Sequence, residues 1–190
     1  MSIRFAKIRI LTTRKSKVIL LNWYICFQSE QMKYTHQVAY EIIDHWNELP
    51  MIEQTLIAAA YKCAETAFAP YSNFHVGASV LLEDGTIHTG SNQENIAYPS
   101  GMCAERVALY AVGANFPNNA ITTLVVVAKG DLVKPEAMIS PCGSCRQVMA
   151  QSEARQNKPI RVLLVAQNNA VSIFYRASDL LIFPFGMNTD

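Results

Sequence analysis

The feature that most constrains the fold is the run ITTLVVVA at residues 121–128, in which nearly every side chain is apolar or β-branched. A strand with one face in water alternates polar and apolar residues, whereas a continuous apolar run suits a strand that is covered on both faces. We therefore expect residues 121–128 to form a central strand, with helices packed on both sides of its sheet.

Patterns on either side of this run predict the other elements. Apolar residues recur at helical spacing in 51–68, whereas they alternate on both sides of Asp84-Gly85, which indicates a hairpin. Another helix is expected to begin at Pro141, because proline suits the first helical position. The predicted order is a weak helix at 35–48, a helix at 51–68, a hairpin at 74–90, a helix at 103–116, the central strand, a helix from Pro141, and strands at 161–167 and 170–176. This order predicts an α/β fold, a three-layer α-β-α sandwich with a mixed sheet of about five strands.

Charge separates the first 31 residues from the rest of the chain. Of the 16 Lys and Arg and 15 Asp and Glu, residues 1–31 hold six cations and one acid, which leaves ten cations and fourteen acids in 32–190. We expect 1–31 to be a basic leader, either disordered, a targeting segment or an over-extended start, and 32–190 to be a single catalytic domain. A mildly acidic domain does not favour nucleic acid as a partner. The apolar run at 18–27 is also too short to span a membrane.

The cysteines indicate a reducing compartment. The chain has five, an odd number without a regular spacing, and no clear export signal precedes them. A disulfide scaffold is therefore not expected, and we predict a cytoplasmic protein. Cys63 falls on the apolar side of a predicted helix and reads as a small buried hydrophobic residue.

Two cysteines stand three residues apart in PCGSCRQVM, as Cys142 and Cys145 at a predicted helix start. Free backbone N–H groups and the helix dipole favour thiolates there. Alone, the pair fits a redox dithiol, a metal site or a structural pair equally well. Cys103, in GMCAERVAL, lies at a second predicted helix start. Two helix ends can thus direct three thiolates at one cation.

The combination of C-A-E with P-C-x-x-C resembles the zinc nucleoside and nucleobase deaminases. The resemblance implies one Zn²⁺ per subunit, held by Cys103, Cys142 and Cys145. Three protein ligands are typical of catalytic zinc, which keeps a fourth position for water. Within a helix, side chains two positions apart point about 200° away from each other. Cys103 is therefore expected at the helix cap, and Glu105 in the first turn, so that both side chains reach one zinc ion.

Glu105 is the expected catalytic residue. Zinc lowers the pKa of water, and a carboxylate can take the released proton and pass it to the cytosine ring nitrogen N3 and then to the departing ammonia. Three thiolates leave the zinc site with a net negative charge. The resemblance implies that Arg106 supports these thiolates through hydrogen bonds.

The resemblance to the small three-cysteine cytidine deaminases extends from Pro70 to the C-terminus, through PYSNFHVGA, NQENIAYPSGMCAERVAL, SPCGSCRQVM and, more loosely, LLIFPFG. It implies a homotetramer and a nucleoside substrate. It also implies that Asn92 and Glu94 hold the ribose, that Phe74 packs on the pyrimidine, that the Ala104–Glu105 region reads the base edge, and that Phe185 reaches a neighbouring subunit's site. The remaining expected pocket residues are Gln93, Asn95, Ala97 and Tyr98. Ile96 departs from the family's usual small residue and is expected to narrow the pocket.

The sequence thus predicts zinc-dependent hydrolysis of cytidine and deoxycytidine to uridine and deoxyuridine, a reaction of pyrimidine salvage. Deamination of a cytosine-containing antibiotic such as blasticidin S is the alternative, which the N-x-E-N segment disfavours. A polynucleotide-editing deaminase would call for a basic, aromatic-rich groove. A zinc-stabilised binding module without catalysis would call for four protein ligands.

Overall fold

The apolar run that dominates the sequence forms the middle of a sheet. A computed structural model of the protein describes residues 35–186, so the predicted leader at 1–31 lies outside the described residues. The helices and strands, in chain order, are β1 (Glu41–Ile43), α1 (Met51–Ala64), β2 (His75–Leu82), β3 (Ile87–Ser91), α2 (Ala104–Asn115), β4 (Ile121–Lys129), α3 (Gly143–Gln156), β5 (Arg161–Val165) and β6 (Val171–Phe174).

Within residues 35–186 the strands form one mixed sheet in the order β1-β6-β5-β4-β2-β3. β4 and β5 are parallel and α3 crosses between them, whereas the other neighbouring strands are antiparallel. The predicted hairpin of β2 and β3 is confirmed. The predicted mixed sheet is confirmed as well, with six strands in this part of the chain instead of about five.

The sixth strand arises where the sequence predicts a helix, and the helical prediction for 35–48 is wrong. β1 pairs antiparallel with β6, and a short 3₁₀ turn follows at Trp46–Glu48. Tyr40, just before β1, stacks its ring on Phe174 of β6 with the ring centroids 5.3 Å apart. Helical propensity is a weak preference, and the backbone groups at the edge of β6 offer this segment hydrogen bonds that override it.

The sheet is covered on both faces, as the three-layer prediction requires. α1 packs on one face, in an apolar cluster whose buried members include Leu56, Ile57, Val125, Val127 and Leu163. α2 and α3 pack on the opposite face, in a cluster whose buried members include Ala108, Leu109, Leu124, Val126 and Met149. Successive residues of β4 point to opposite faces. This explains why the whole run is apolar.

A glycine sets the distance between α2 and the sheet. A Cβ atom on Gly90 of β3 would lie 2.6 Å from the backbone nitrogen of Ala108 and 2.8 Å from the carbonyl oxygen of Ala104. Only a residue without a side chain allows this approach. The helix that begins next to Cys103 is therefore held directly against the strand.

Between residues 35 and 186 no helix has both the length and the apolar character needed to cross a membrane.

Candidate metal centre

The first ligand position lies at the start of α2. Cys103 is the N-cap residue, with extended backbone angles (φ −73°, ψ 151°), and Glu105 lies in the first turn. Because Cys103 precedes the helix, its side chain does not follow helical spacing and both side chains can turn to one point. The Glu105 side chain is buried, with the residue only 5% exposed.

The second helix start is built in the same way. Cys142 is the N-cap residue of α3 (φ −66°, ψ 165°), and Cys145 lies in the first turn, fully buried. The prediction that Pro141 is the first helical residue is wrong, since Gly143 takes that position. The cap must be extended for the Cys142 thiol to turn toward Cys145, and the proline lies one residue before it.

The three sulfur atoms meet at one point. The Sγ atoms of Cys103, Cys142 and Cys145 all lie within 4.8 Å of one another, and they are the one such group of metal-binding side chains within 35–186. Cys103 Sγ lies 3.9 Å from Cys142 Sγ, which lies 3.4 Å from Cys145 Sγ. Zn–S bonds of about 2.3 Å at tetrahedral angles place sulfurs about 3.8 Å apart. The cluster therefore fits a zinc ion.

Arg106 supplies positive charge beside this cluster. Its Nη2 atom lies 3.8 Å from Cys103 Sγ. Its Nε atom is buried and has no hydrogen-bond partner among the described residues. An arginine side chain stays charged at any physiological pH and attracts thiolates. Arg106 thus offsets part of the negative charge that three thiolates carry.

Cys103 and Cys145 have strongly shifted pKa values. The pKa of Cys103 falls to about 5, first because of its hydrogen bond with the Cys145 thiol and then because of Arg106. The pKa of Cys145 is raised, because it holds the shared proton beside the Cys103 thiolate and is buried. Metal binding needs deprotonated thiols, so this cluster releases protons when it takes up an ion.

The Glu105 carboxyl group differs from an ordinary glutamate in its pKa. Its pKa is raised to about 7, first by burial and then by the negative charge of Cys103. A general acid–base group works best when its pKa lies near the working pH. Glu105 can therefore both accept and donate a proton near neutrality.

The expected ribose-holding residues contact the loop that carries Phe74. Asn92 Oδ1 accepts a hydrogen bond from Val76 N at 2.8 Å, and Asn92 Nδ2 donates to Phe74 O at 2.9 Å. Glu94 accepts from Tyr71 N at 2.9 Å and from Ser72 Oγ at 2.5 Å. The half-buried Phe74 ring packs on the core beneath α2.

The other expected pocket residues lie along the segment that leads to Cys103. Gln93 pairs its backbone with Met102 in both directions, at 2.8 Å each, which brings this segment next to the first ligand. Asn95 Oδ1 accepts from Ala97 N at 2.9 Å and closes a turn.

Exposure differs sharply among the remaining residues of this set. Tyr98 is 77% exposed, and Ile96, which was expected to narrow the pocket, is 83% exposed. Ala104 is fully buried in the core, so any ligand contact it makes is through its backbone. Phe185, near the end of the described chain, is 89% exposed, and its backbone forms hydrogen bonds with the Gln147 side chain of α3.

Two residues with structural importance here were not singled out from the sequence. Ser72 links Glu94 to the backbone of Phe74, since its hydroxyl also accepts from Phe74 N at 3.1 Å. Its place in a Ser-Asn turn was the available signal. Gln147 of α3 binds both backbone groups of Phe185, at 2.8 Å and 2.5 Å. No pattern in the sequence predicts that the Gln147 side chain binds the backbone of Phe185.

A mixed sheet between helices, with two helix starts that bring three thiols and a buried carboxylate together, defines a zinc-dependent hydrolytic deaminase. The family model described as "Cytidine and deoxycytidylate deaminase zinc-binding region" matches residues 51–158. The chain belongs to this family.

Individual relatives agree with this assignment. The chain is 45% identical over 98 residues to the cytidine deaminase of Sporosarcina psychrophila, a match that covers 52% of this chain and 68% of the relative. It is 41% identical over 101 residues to that of Halalkalibacterium halodurans, covering 53% and 72%. Among solved structures, the cytidine deaminase from Burkholderia pseudomallei superposes with a TM-score of 0.59 at 36% identity, over 70% of this chain and 98% of that one.

Proposed function

We propose that the protein catalyses the zinc-dependent hydrolytic deamination of cytidine and deoxycytidine to uridine and deoxyuridine. The observation that carries this proposal is the buried Glu105 carboxyl beside three convergent thiols at two helix starts. Hydrolysis adds the oxygen of one water to C4 of the cytosine ring and releases the amino group as ammonia. It needs a group that moves protons next to that carbon.

Cys103, Cys142 and Cys145 would hold one Zn²⁺ per subunit. The ion, when bound, supplies Lewis acidity that lowers the pKa of a water molecule toward about 7. Arg106 keeps the thiolates from neutralising that acidity fully, because its guanidinium withdraws negative charge from Cys103.

Glu105 carries the protons. Its carboxylate accepts a proton from the attacking water and delivers it to N3 of the ring. It then accepts the remaining hydroxyl proton and delivers it to the amino nitrogen, which leaves as ammonia. The Glu105 pKa of about 7 suits both directions of transfer. The carboxyl group ends the cycle in its starting form.

Substrate contacts are proposed for the loop that carries Phe74 and for the segment 92–98, which Gln93 pairs with Met102 beside Cys103. Phe74 packs on the pyrimidine, and Asn92 and Glu94 bind the ribose hydroxyls. The backbone around Ala104 and the Glu105 carboxyl read the base edge. The pocket wall comprises Gln93, Asn95, Ala97 and Tyr98. The polar side chains of Asn92 and Glu94 provide the donor and acceptors that a diol requires.

A homotetramer in which Phe185 completes a neighbouring subunit's site is part of the proposal. Tyr98 and Phe185 are exposed and therefore accessible to a neighbouring subunit. A single catalytic domain at 32–190, acting in cytoplasmic pyrimidine salvage, completes the proposal. Gel filtration with light scattering tests the assembly.

The activity is tested by following the loss of cytidine absorbance with purified protein, before and after chelation of zinc. We expect turnover of cytidine and deoxycytidine, its loss on chelation and its return when zinc is added. Cytosine, dCMP and blasticidin S are assayed in parallel. A preference for dCMP or blasticidin S would overturn the assigned substrate, and turnover that survives complete zinc removal would overturn the mechanism.

A further inference from the structure

The loop at 71–74, which leads into β2, is held in place by side chains from outside it. Glu94 Oε2 accepts hydrogen bonds from the backbone nitrogens of Tyr71 and Ser72, at 2.9 Å and 3.3 Å. Glu94 Oε1 accepts from the Ser72 hydroxyl at 2.5 Å. These bonds lower the pKa of Glu94, the Ser72 hydroxyl first. Glu94, which lies in the proposed ribose-binding segment, therefore holds the beginning of this loop through its carboxylate.

Ser72 extends this contact to Phe74. A serine hydroxyl has one hydrogen to donate and two lone pairs that accept. Ser72 donates its hydrogen to Glu94 and accepts from Phe74 N at 3.1 Å. A continuous chain of hydrogen bonds thus runs from the Glu94 carboxylate through one hydroxyl to the backbone of Phe74.

The other side of Phe74 is fixed by Asn92. Its Nδ2 atom donates to Phe74 O at 2.9 Å, and its Oδ1 atom accepts from Val76 N at 2.8 Å. Both backbone polar groups of Phe74 are then tied, through side chains, to the segment at 92–94. A shift of that segment moves the Phe74 ring with it.

The backbone at Asn73 and Gly130 also restricts this loop. Asn73 adopts a left-handed conformation (φ 50°), and Gly130, at the end of β4, has φ 137°. A Cβ atom on Gly130 would lie 2.6 Å from Asn73 O and 3.1 Å from the Phe74 ring. The ring is thus pressed against the end of β4 with no room for a side chain between them.

We infer that Ser72 is a positioning residue of the candidate site: its hydroxyl couples the Glu94 carboxylate to the backbone of Phe74, so that the sugar-binding and base-binding parts of the pocket are set as one unit. This inference rests on the proposed function, because it takes Phe74 and Glu94 as substrate contacts. Ser72 itself needs no contact with substrate.

The test replaces Ser72 by alanine, with Ser72→Thr as the variant that keeps the hydroxyl. Loss of one coupling hydrogen bond is expected to raise KM for cytidine about fivefold. The turnover number is expected to stay within about twofold, because the bond is present in both ground and transition states. Ser72→Thr is expected to restore KM. Thr55→Ala is the matched control, since it removes another exposed hydroxyl, one that donates to Met51 O at 2.9 Å on α1.

A double-mutant cycle with Glu94→Gln separates coupling from a local turn effect. If the hydroxyl acts through Glu94, Ser72→Ala raises KM much less in the Glu94→Gln background than alone. Effects that multiply independently, or an unchanged KM for Ser72→Ala, would overturn the inference.

A second readout needs neither substrate nor activity. Hydrogen exchange of the amides of Tyr71, Ser72 and Phe74 is measured in the zinc-bound protein. Ser72→Ala is expected to speed exchange at Phe74, and Glu94→Gln at all three. Slow exchange at Phe74 in Ser72→Ala would contradict the coupling, even if the wild-type protein fails to deaminate cytidine. Absence of wild-type turnover with fast exchange at Phe74 in Ser72→Ala would instead reject the proposed substrate and keep the coupling.

Discussion

Arg106 Nη2 lies 3.8 Å from Cys103 Sγ, so the residue that carries positive charge to the sulfur cluster stands three positions after its first thiol on the same helix. Cys103 is the N-cap residue and Arg106 lies in the first turn of α2, so the extended cap lets the thiol turn toward the guanidinium.

Arg106→Gln is expected to lower kcat about tenfold at saturating zinc, because the thiolates then weaken the ion's acidity without compensation. Steady-state kinetics with metal content measured on the same sample checks this. Arg155→Gln, in the last turn of α3, is the control and should leave kcat unchanged. A wild-type kcat in Arg106→Gln would show that the guanidinium has no electronic role.

Glu105→Gln is expected to reduce kcat about a thousandfold, because the amide cannot accept a proton from water. Zinc content is expected to stay at one ion per chain, since the three thiols are unchanged. Kinetics and elemental analysis of the same preparation measure both. A variant that lost zinc along with activity would assign Glu105 to the metal instead of to proton transfer, and retained turnover would show that another group moves the protons.

Cys145→Ser is expected to abolish stoichiometric zinc binding, because two thiols are left where about four ligand positions must be filled. The melting temperature should fall with it, since the ion joins the starts of α2 and α3. Cys63→Ser is the matched control, as Cys63 lies on α1 and outside the sulfur cluster. Elemental analysis and thermal unfolding with and without chelator provide the measurement. Equal zinc loss in both variants would contradict the assignment.

Gly90→Ala is expected to destabilise the protein by about 1–3 kcal/mol, because the new methyl group meets the backbone of α2. The helix must shift, so activity should fall as well. Gly113→Ala is the control on α2 itself, where the atom nearest to the added Cβ is the flexible end of the Arg155 side chain, 3.7 Å away. It is expected to stabilise by up to about 1 kcal/mol. Urea unfolding measures both variants. An unchanged free energy of unfolding in Gly90→Ala would mean that α2 moves away from the strand at little cost.

Glu153 predicts a pH dependence of stability. Burial alone would raise its pKa, but hydrogen bonds from Ser178 Oγ and from the amides of Ile160 and Ala177, with Arg176, lower it below 4.5. A depressed carboxyl pKa stabilises the fold above the unfolded value and loses that effect as pH falls through the folded value. Glu153→Gln is therefore expected to cost about 2 kcal/mol at pH 7 and progressively less below pH 4.5.

Urea unfolding across this pH range checks the difference between Glu153→Gln and wild type. Glu136→Gln, on an exposed loop, serves as the surface control. A Glu153→Gln penalty that persisted unchanged at the acid end would show that shape, not charge, sets the effect.

The centre of the fold could be predicted from the sequence because it depends on a local pattern, whereas the three-cysteine cluster was predicted from the resemblance of its motifs to a known family. The apolar run at 121–128 requires cover on both faces. The spacing of Cys142 and Cys145 indicates a metal site only together with Cys103 in C-A-E. The prediction of a helix at 35–48 was wrong because the strand with which this segment pairs, β6, lies more than a hundred residues away in the chain.

The loop contacts could not be predicted for a related reason. Nothing about Ser72 in the sequence shows that its hydroxyl faces Glu94, because that depends on the path of the backbone through Asn73. Gln147 likewise acquires its role only when the chain near Phe185 returns to α3.

The family match begins at residue 51, eight residues after β1 ends. An expression variant trimmed to that boundary would strip the outer strand from β6 and leave a row of unsatisfied amide and carbonyl groups facing solvent. Such a truncated chain is expected to precipitate or to pair edge to edge, even with Glu105 and the three cysteines intact. The short strand at Glu41–Ile43 thus covers the edge of β6 and is expected to reduce self-association. Shortened versions for crystallisation or biosensing should retain it.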